Sequence, residues 1–85
     1  MDLRCFVAAA EESSVARAAE RLAISQPRTS KHLIGLEHAF GVELFSREAR
    51  GATLTASGAA LLPHAREVLA AWDRAQRAIQ DSKGG

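Results

Sequence analysis

The sequence predicts a mainly α domain: three helices, a short two-stranded hairpin and one long closing helix. Three observations predict it. Ala supplies 18 of 85 residues, and Ala is the best helix former because it loses no side-chain entropy. Apolar residues recur at i, i+3, i+4 and i+7 in successive windows, which is the spacing of one helical face. The breaks between windows carry Ser or Thr, whose hydroxyls can accept from the free N–H groups of a helix's first turn. At 85 residues the chain is one small domain, too short for a catalytic pocket with its own lid and substrate domain.

The elements follow in order. Leu3, Phe6, Val7 and Ala10 form the first stripe, closed by Glu11-Glu12 and Ser13-Ser14. Ser13 or Ser14 caps the second helix, whose stripe is Val15, Ala18, Ala19 and Leu22. Ala23-Ile24 is a very short connection. Ser25 caps the third helix, with Pro27 in its first turn, where a missing N–H does no harm. That helix runs to Phe40 with Leu33, Leu36 and Phe40 inward, and Gly41 stops it in the left-handed conformation. Two short apolar pieces, Val42–Phe45 and Thr53-Leu54, read as strands around a basic loop, with Gly51 permitting positive φ. Thr55 caps the last helix, and Pro63 should bend it near its start. From there Leu61, Ala65, Val68, Trp72, Ala75 and Ile79 are spaced as a heptad seam of about two and a half repeats. The seam reads as a dimerisation face, or as a face packed on the domain's own core.

Net charge is only +1, but it is sorted along the chain. Residues 1–12 carry −2; residues 13–35 carry +3, from Arg17, Arg21, Arg28 and Lys31 against Glu20. A local basic face is therefore the relevant quantity. The single Cys5 excludes an internal disulfide and fits a reducing compartment; beside Phe6, it reads as a small buried hydrophobe rather than a redox sensor. No apolar run approaches a membrane span, and no basic leader with an apolar core is seen.

The pair of short helices joined at Ala23-Ile24 is the most informative feature. Helices cross closely only through small residues, which Ala18, Ala19 and Ala23 supply. The second of the pair opens with Ser25, Gln26, Pro27, Arg28, Thr29, Ser30 and Lys31. Against base edges in a major groove, Gln can pair with adenine, Arg or Lys with guanine, and Ser and Thr with several edges. Arg47 and Arg50 sit on the hairpin loop and suit a narrow, electronegative minor groove. Together these features read as a winged helix-turn-helix followed by a long linker helix.

The residues also carry a family resemblance. The run from Ser14 to Pro27, then Ser30-Lys31, Leu36-Glu37 and Gly41-Val42-Glu43-Leu44-Phe45, resembles the N-terminal DNA-binding domain of LysR-type transcriptional regulators. Arg47, Arg50-Gly51 and Leu54–Gly58 resemble that family's wing and the start of its linker helix. The resemblance implies base reading by Gln26, Pro27, Ser30 and Lys31, and a minor-groove arginine at Arg50. Arg28 stands where the family usually has a small residue, Thr29 where it has an apolar one, and Ile34 where it is often basic. The implied organisation is a DNA-binding domain over 1–58, a linker and dimerisation helix over 59–82 and a tail over 83–85, with the effector-binding domain absent. The implied partners are a double-stranded DNA operator with two-fold half-sites and a second copy of the chain, as a homodimer or as a tetramer at full length. A small-molecule effector would act only through the absent domain. The implied location is the bacterial cytoplasm, at the nucleoid, with no membrane partner.

Other chemistry finds little support. His32, His38 and His64 with the single Cys5 lack the ligand spacing of a structural zinc site. No nucleophile-elbow motif or Gly-rich phosphate loop occurs, so neither an enzyme nor a cofactor is expected. The competing reading is a winged-helix protein-interaction or dimerisation module that does not read DNA. Such a module would place an apolar patch where this chain has Gln26, Arg28, Ser30 and Lys31.

Overall fold

A computed structural model describes residues 1–48 and 50–84. Among them run α1 (Asp2–Glu12), α2 (Val15–Leu22), α3 (Gln26–Phe40) and α4 (Ala56–Gly84). Ala49, inside the expected loop, and Gly85, in the expected tail, lie outside the described residues.

The capping chemistry places the first three helices. α1 stops at Ser13, which is left-handed at φ 53°. Ser14 is then the cap of α2, its side chain accepting from the Arg17 N–H at 3.1 Å. Ser25 does the same for α3, accepting from the Arg28 N–H at 3.2 Å, with Pro27 in the first turn. Gly41 ends α3 at φ 69°. Ala18 and Ala19 are buried, as a close helix crossing requires. Ala23 is exposed and makes no such contact; its part is to end α2 in the left-handed conformation at φ 57°.

The core gathers α1, α2, α3, the 42–55 segment and the start of α4. Cys5, Phe6, Ala8 and Ala9 are fully buried on α1. Val7, Ala18, Leu33, Leu36, Leu44, Phe45, Ala52 and Ala65 complete the cluster. The Phe6 and Phe45 rings pack tilted, with centroids 5.5 Å apart.

Three expectations need correction. Phe40 is not inward: it is 56% exposed at the last residue of α3, beyond the edge of the core, and Leu44 past the Gly41 turn is buried. The two strands reduce to one isolated antiparallel bridge between Phe45 and Leu54, flanked by Ser46 N–H to Thr53 O (2.8 Å) and Thr55 N–H to Leu44 O (3.0 Å). The Leu44 N–H, which would extend that pairing toward Thr55, donates instead to Glu37. Pro63 stands inside α4, which runs from Ala56 to Gly84. Lys83 and Gly84 are helical rather than tail.

Two contacts fix the hairpin to the body. Gly58 of α4 lies so close that a Cβ there would stand 2.2 Å from the Leu44 carbonyl oxygen. Gly51, at φ 72°, brings the loop onto the α1–α2 turn, where the Ala52 N–H donates to the Ser13 carbonyl at 3.1 Å. Thr55 caps α4 by accepting from the Gly58 N–H at 3.1 Å, while its own hydroxyl donates to the Glu43 carbonyl.

Candidate nucleic-acid interface

The first two turns of α3 form an exposed polar surface. Ser25, Gln26, Pro27, Arg28 and Lys31 are exposed, and Ser30 is partly buried. Thr29 is not available there: it is fully buried, and its hydroxyl donates to the Ser25 carbonyl at 2.9 Å. A side chain pointing inward cannot touch a base, so Thr29 leaves the set of surface candidates. It occupies the inward position where an apolar residue was the expectation, and its hydroxyl is satisfied there.

The charge on this face is more selective than the sequence suggests. Arg21 turns toward α1, 2.8 Å from Glu11 and 3.4 Å from Glu12. Arg66 of α4 reaches the same Glu11 at 3.1 Å. The hydrogen bond from Arg21, and then that from Arg66, holds the Glu11 carboxyl below the usual carboxylate range. The same pair raises Arg21. Arg17, Arg28, Lys31 and Arg50 enter no ion pair among the described residues. Burial pushes the Cys5 thiol up, away from the reactive thiolate, which suits a packing residue.

The hairpin carries two arginines in different states. Arg50 is exposed beside Gly51. Arg47 is committed: its guanidinium pairs with Glu37 and stands 3.8 Å from Glu43. Glu37 is buried, and its carboxylate also accepts from the backbone N–H groups of Leu44 (2.7 Å) and Phe45 (3.3 Å). Sequence reasoning missed Glu37, although a carboxylate between Leu36 and Phe40 on an apolar face was a readable signal. It also missed His32, whose Nδ1 lies 2.5 Å from Asp2 Oδ1 and ties α3 to the start of α1. Neither has a spacing motif that would name its partner.

Along the α4 seam, Leu61 is partly buried and Ala65 is buried in the domain's own core. Val68, Trp72, Ala75 and Ile79 are exposed. No cluster of His, Cys, Asp or Glu among the described residues could hold a metal ion. No helix among them is long and apolar enough to cross a membrane.

Known proteins share this arrangement. The family model described as "Bacterial regulatory helix-turn-helix protein, lysR family" matches residues 1–59. The HTH-type transcriptional regulator TfdS of Cupriavidus pinatubonensis is 55% identical over 67 residues, 79% of this chain and 23% of that protein. TfdT of the same organism is 42% identical over 83 residues, 98% of this chain and 36% of that protein. The chain thus spans a minor part of the length of these regulators. Among solved structures, the BenM DNA-binding domain in complex with catB site 1 DNA superposes with a TM-score of 0.92 at 32% identity, covering 99% of this chain and 94% of that one. The CbnR DNA-binding domain–DNA complex gives 0.86 at 38% identity, covering 95% and 93%. The chain therefore belongs to the LysR family of bacterial regulatory helix-turn-helix proteins.

Proposed function

We propose that this domain reads double-stranded DNA for a bacterial transcriptional regulator. The recognition helix α3 enters the major groove with Gln26, Pro27, Arg28, Ser30 and Lys31 toward base edges, and Ser25 and the helix N-terminus face phosphate. The loop 46–52 is the wing, and Arg50 enters the adjacent minor groove. Residues 1–58 read DNA; residues 59–82 link and pair two copies over an operator with two half-sites. A small-molecule effector acts through a further C-terminal domain, and the site of action is the cytoplasmic nucleoid.

One observation carries this reading: the first two turns of α3 stand exposed with polar and cationic side chains that the domain itself does not use. The likeness to two domains solved on DNA supports it. An interaction module would gain nothing from leaving Arg28 and Lys31 uncompensated.

The test begins with selection of bound sequences from random duplex DNA. On the selected operator, Lys31→Ala should cost about 1–3 kcal/mol and relax specificity at one position, with a smaller loss on random duplex. Equal losses on both would reduce Lys31 to a phosphate contact. No salt-dependent binding to any duplex would end the DNA reading.

A further inference from the structure

We propose that Glu37 and Arg47 form a clasp that sets the position of the wing relative to the recognition helix, with Arg47 a positioning residue and not a DNA contact. The inference rests on the DNA-binding reading above and concerns how its two reading elements are held in register.

Four observations lead to it. Both oxygens of the Glu37 carboxylate are engaged by the wing's base: Oε2 accepts from Leu44 and Phe45 N–H, and Oε1 accepts from the Arg47 guanidinium. The carboxylate is buried, and its bonds to the Leu44 and Phe45 N–H groups form where water competes little, while the Arg47 end is partly open to solvent. Among the described residues the wing has little backbone pairing of its own, a single bridge at Phe45 and Leu54. Backbone bonds hold the hairpin against the α1–α2 turn at Ser13, and on the α3 side the tie is the Glu37 side chain. Finally, Glu37 shares the α3 face of Ser30, Leu33 and Ile34, one i+7 step from Ser30. A groove of about 240 Å³ lies between that face and the wing, lined in part by Ser30, Ile34, Glu37, Arg47 and Gly51. The clasp therefore lies in the gap between the helix that reads bases and the loop that carries Arg50.

The charge state of Arg47 follows. Glu37 pairs it directly and Glu43 lies beside it. A guanidinium already neutralised by protein carboxylates releases few counterions from DNA, whereas an unpaired one at Arg50 releases about one. Arg47 thus acts on binding through the placement of Arg50. Its removal should disturb what Arg50 reads without removing a phosphate charge.

The experiment measures binding of the 85-residue chain to the selected operator over a series of KCl concentrations. Two duplexes are used, with A·T-rich or G·C-rich steps at the wing's flank. Arg50→Gln is expected to lower the salt slope by about one per half-site and to erode the A·T preference. Arg47→Gln, at a largely exposed side chain, is expected to erode the same preference while leaving the slope at the wild-type value. The double variant is expected to show no further loss of preference beyond Arg50→Gln. Glu37→Gln should erode the flank preference as Arg47→Gln does, without lowering the slope; its helical circular dichroism is checked first, and Arg47→Gln decides the matter if Glu37→Gln unfolds. A salt slope lowered by about one in Arg47→Gln, with both flanks weakened alike, would make Arg47 a phosphate contact and overturn the clasp. An Arg47→Gln variant unchanged in both slope and flank preference would overturn it equally. A wild-type chain that binds neither duplex at low salt overturns the DNA reading itself, an outcome distinct from either of these.

Discussion

Ala23 holds the turn between α2 and α3 in a conformation that L-residues avoid. At φ 57° and ψ 40° its Cβ crowds the following carbonyl, a strain of about 1–2 kcal/mol. The turn tolerates it because the geometry closes two helical carbonyls: the Ala23 N–H donates to Glu20 O at 3.1 Å and the Ile24 N–H to Ala19 O at 3.1 Å. The side chain is exposed, so little packing is at stake. Ala23→Gly should therefore raise stability by about 0.5–1 kcal/mol, the strain relief less the larger entropy of glycine in the unfolded chain. Urea unfolding measures it, and a lowered midpoint would show that the strain is not where the backbone places it. Gly41 and Gly51 advertise their left-handed turns by residue type; Ala23 and Ser13 do not, because nothing in an Ala or a Ser demands positive φ. The same limit hid Thr29. Its position in a polar run suggested a surface residue, and only the direction of its Cβ from the helix axis buries it.

Helices were legible as elements because their signals are local: a cap, a stripe and a stop within a dozen residues. Ser25, Leu33, Leu36 and Gly41 set α3 without reference to any other part of the chain. The wing was legible in composition but not in pairing, since the Leu44 N–H has to choose between Thr55 across the hairpin and Glu37 on another helix. A choice between remote partners leaves no spacing to read. The ties between elements have the same character, and the acidic end of α1 shows it. Glu11 joins α1 to α2 through Arg21 and to α4 through Arg66. Its carboxyl sits below the ordinary value of 4.5 in the folded chain. A depressed folded-state value means that the stabilisation is fully present above about pH 4.5 and fades as pH falls through the lower folded value. Glu11→Gln should accordingly narrow its stability gap to the wild type as pH drops from 7 toward 3. The gap should also shrink at high salt, because the pairs are partly exposed and screened. Denaturant titrations at several pH values check this; a gap constant from pH 7 to 3 would mean that the Glu11 charge contributes nothing.

The whole molecule measures 52 × 25 × 19 Å, and its long dimension comes from α4 extending past the three-helix body. The heptad spacing reads as one seam, yet the fold divides it. Leu61 and Ala65 face the domain's own core, while Val68, Trp72 and Ile79 stand 54%, 58% and 57% exposed. The core-packing reading thus holds over Leu61 and Ala65, and the C-terminal half of the seam stands exposed. Three large apolar side chains left in water along one stripe favour a partner helix with the same stripe, and a second copy supplies one by two-fold symmetry. A centrally placed Trp in such an interface contributes at least about 2 kcal/mol. Trp72→Ala should therefore weaken self-association by about 30-fold or more. Because the side chain is exposed in the single chain, stability measured below the dimerisation range should change by no more than about 0.5 kcal/mol. Sedimentation over a concentration series separates these effects, and a wild-type chain that remains monomeric at high micromolar concentration would refute the interface. DNA gives the same interface a second readout. Two recognition helices held in one body bind two half-sites with the second event made intramolecular, so losing the dimer removes avidity without touching either reading surface. Trp72→Ala should then lose affinity for a two-half-site operator while binding a single half-site as the wild type does. Equal losses on the two duplexes would mean that Trp72 supports the fold of the reader and not its pairing.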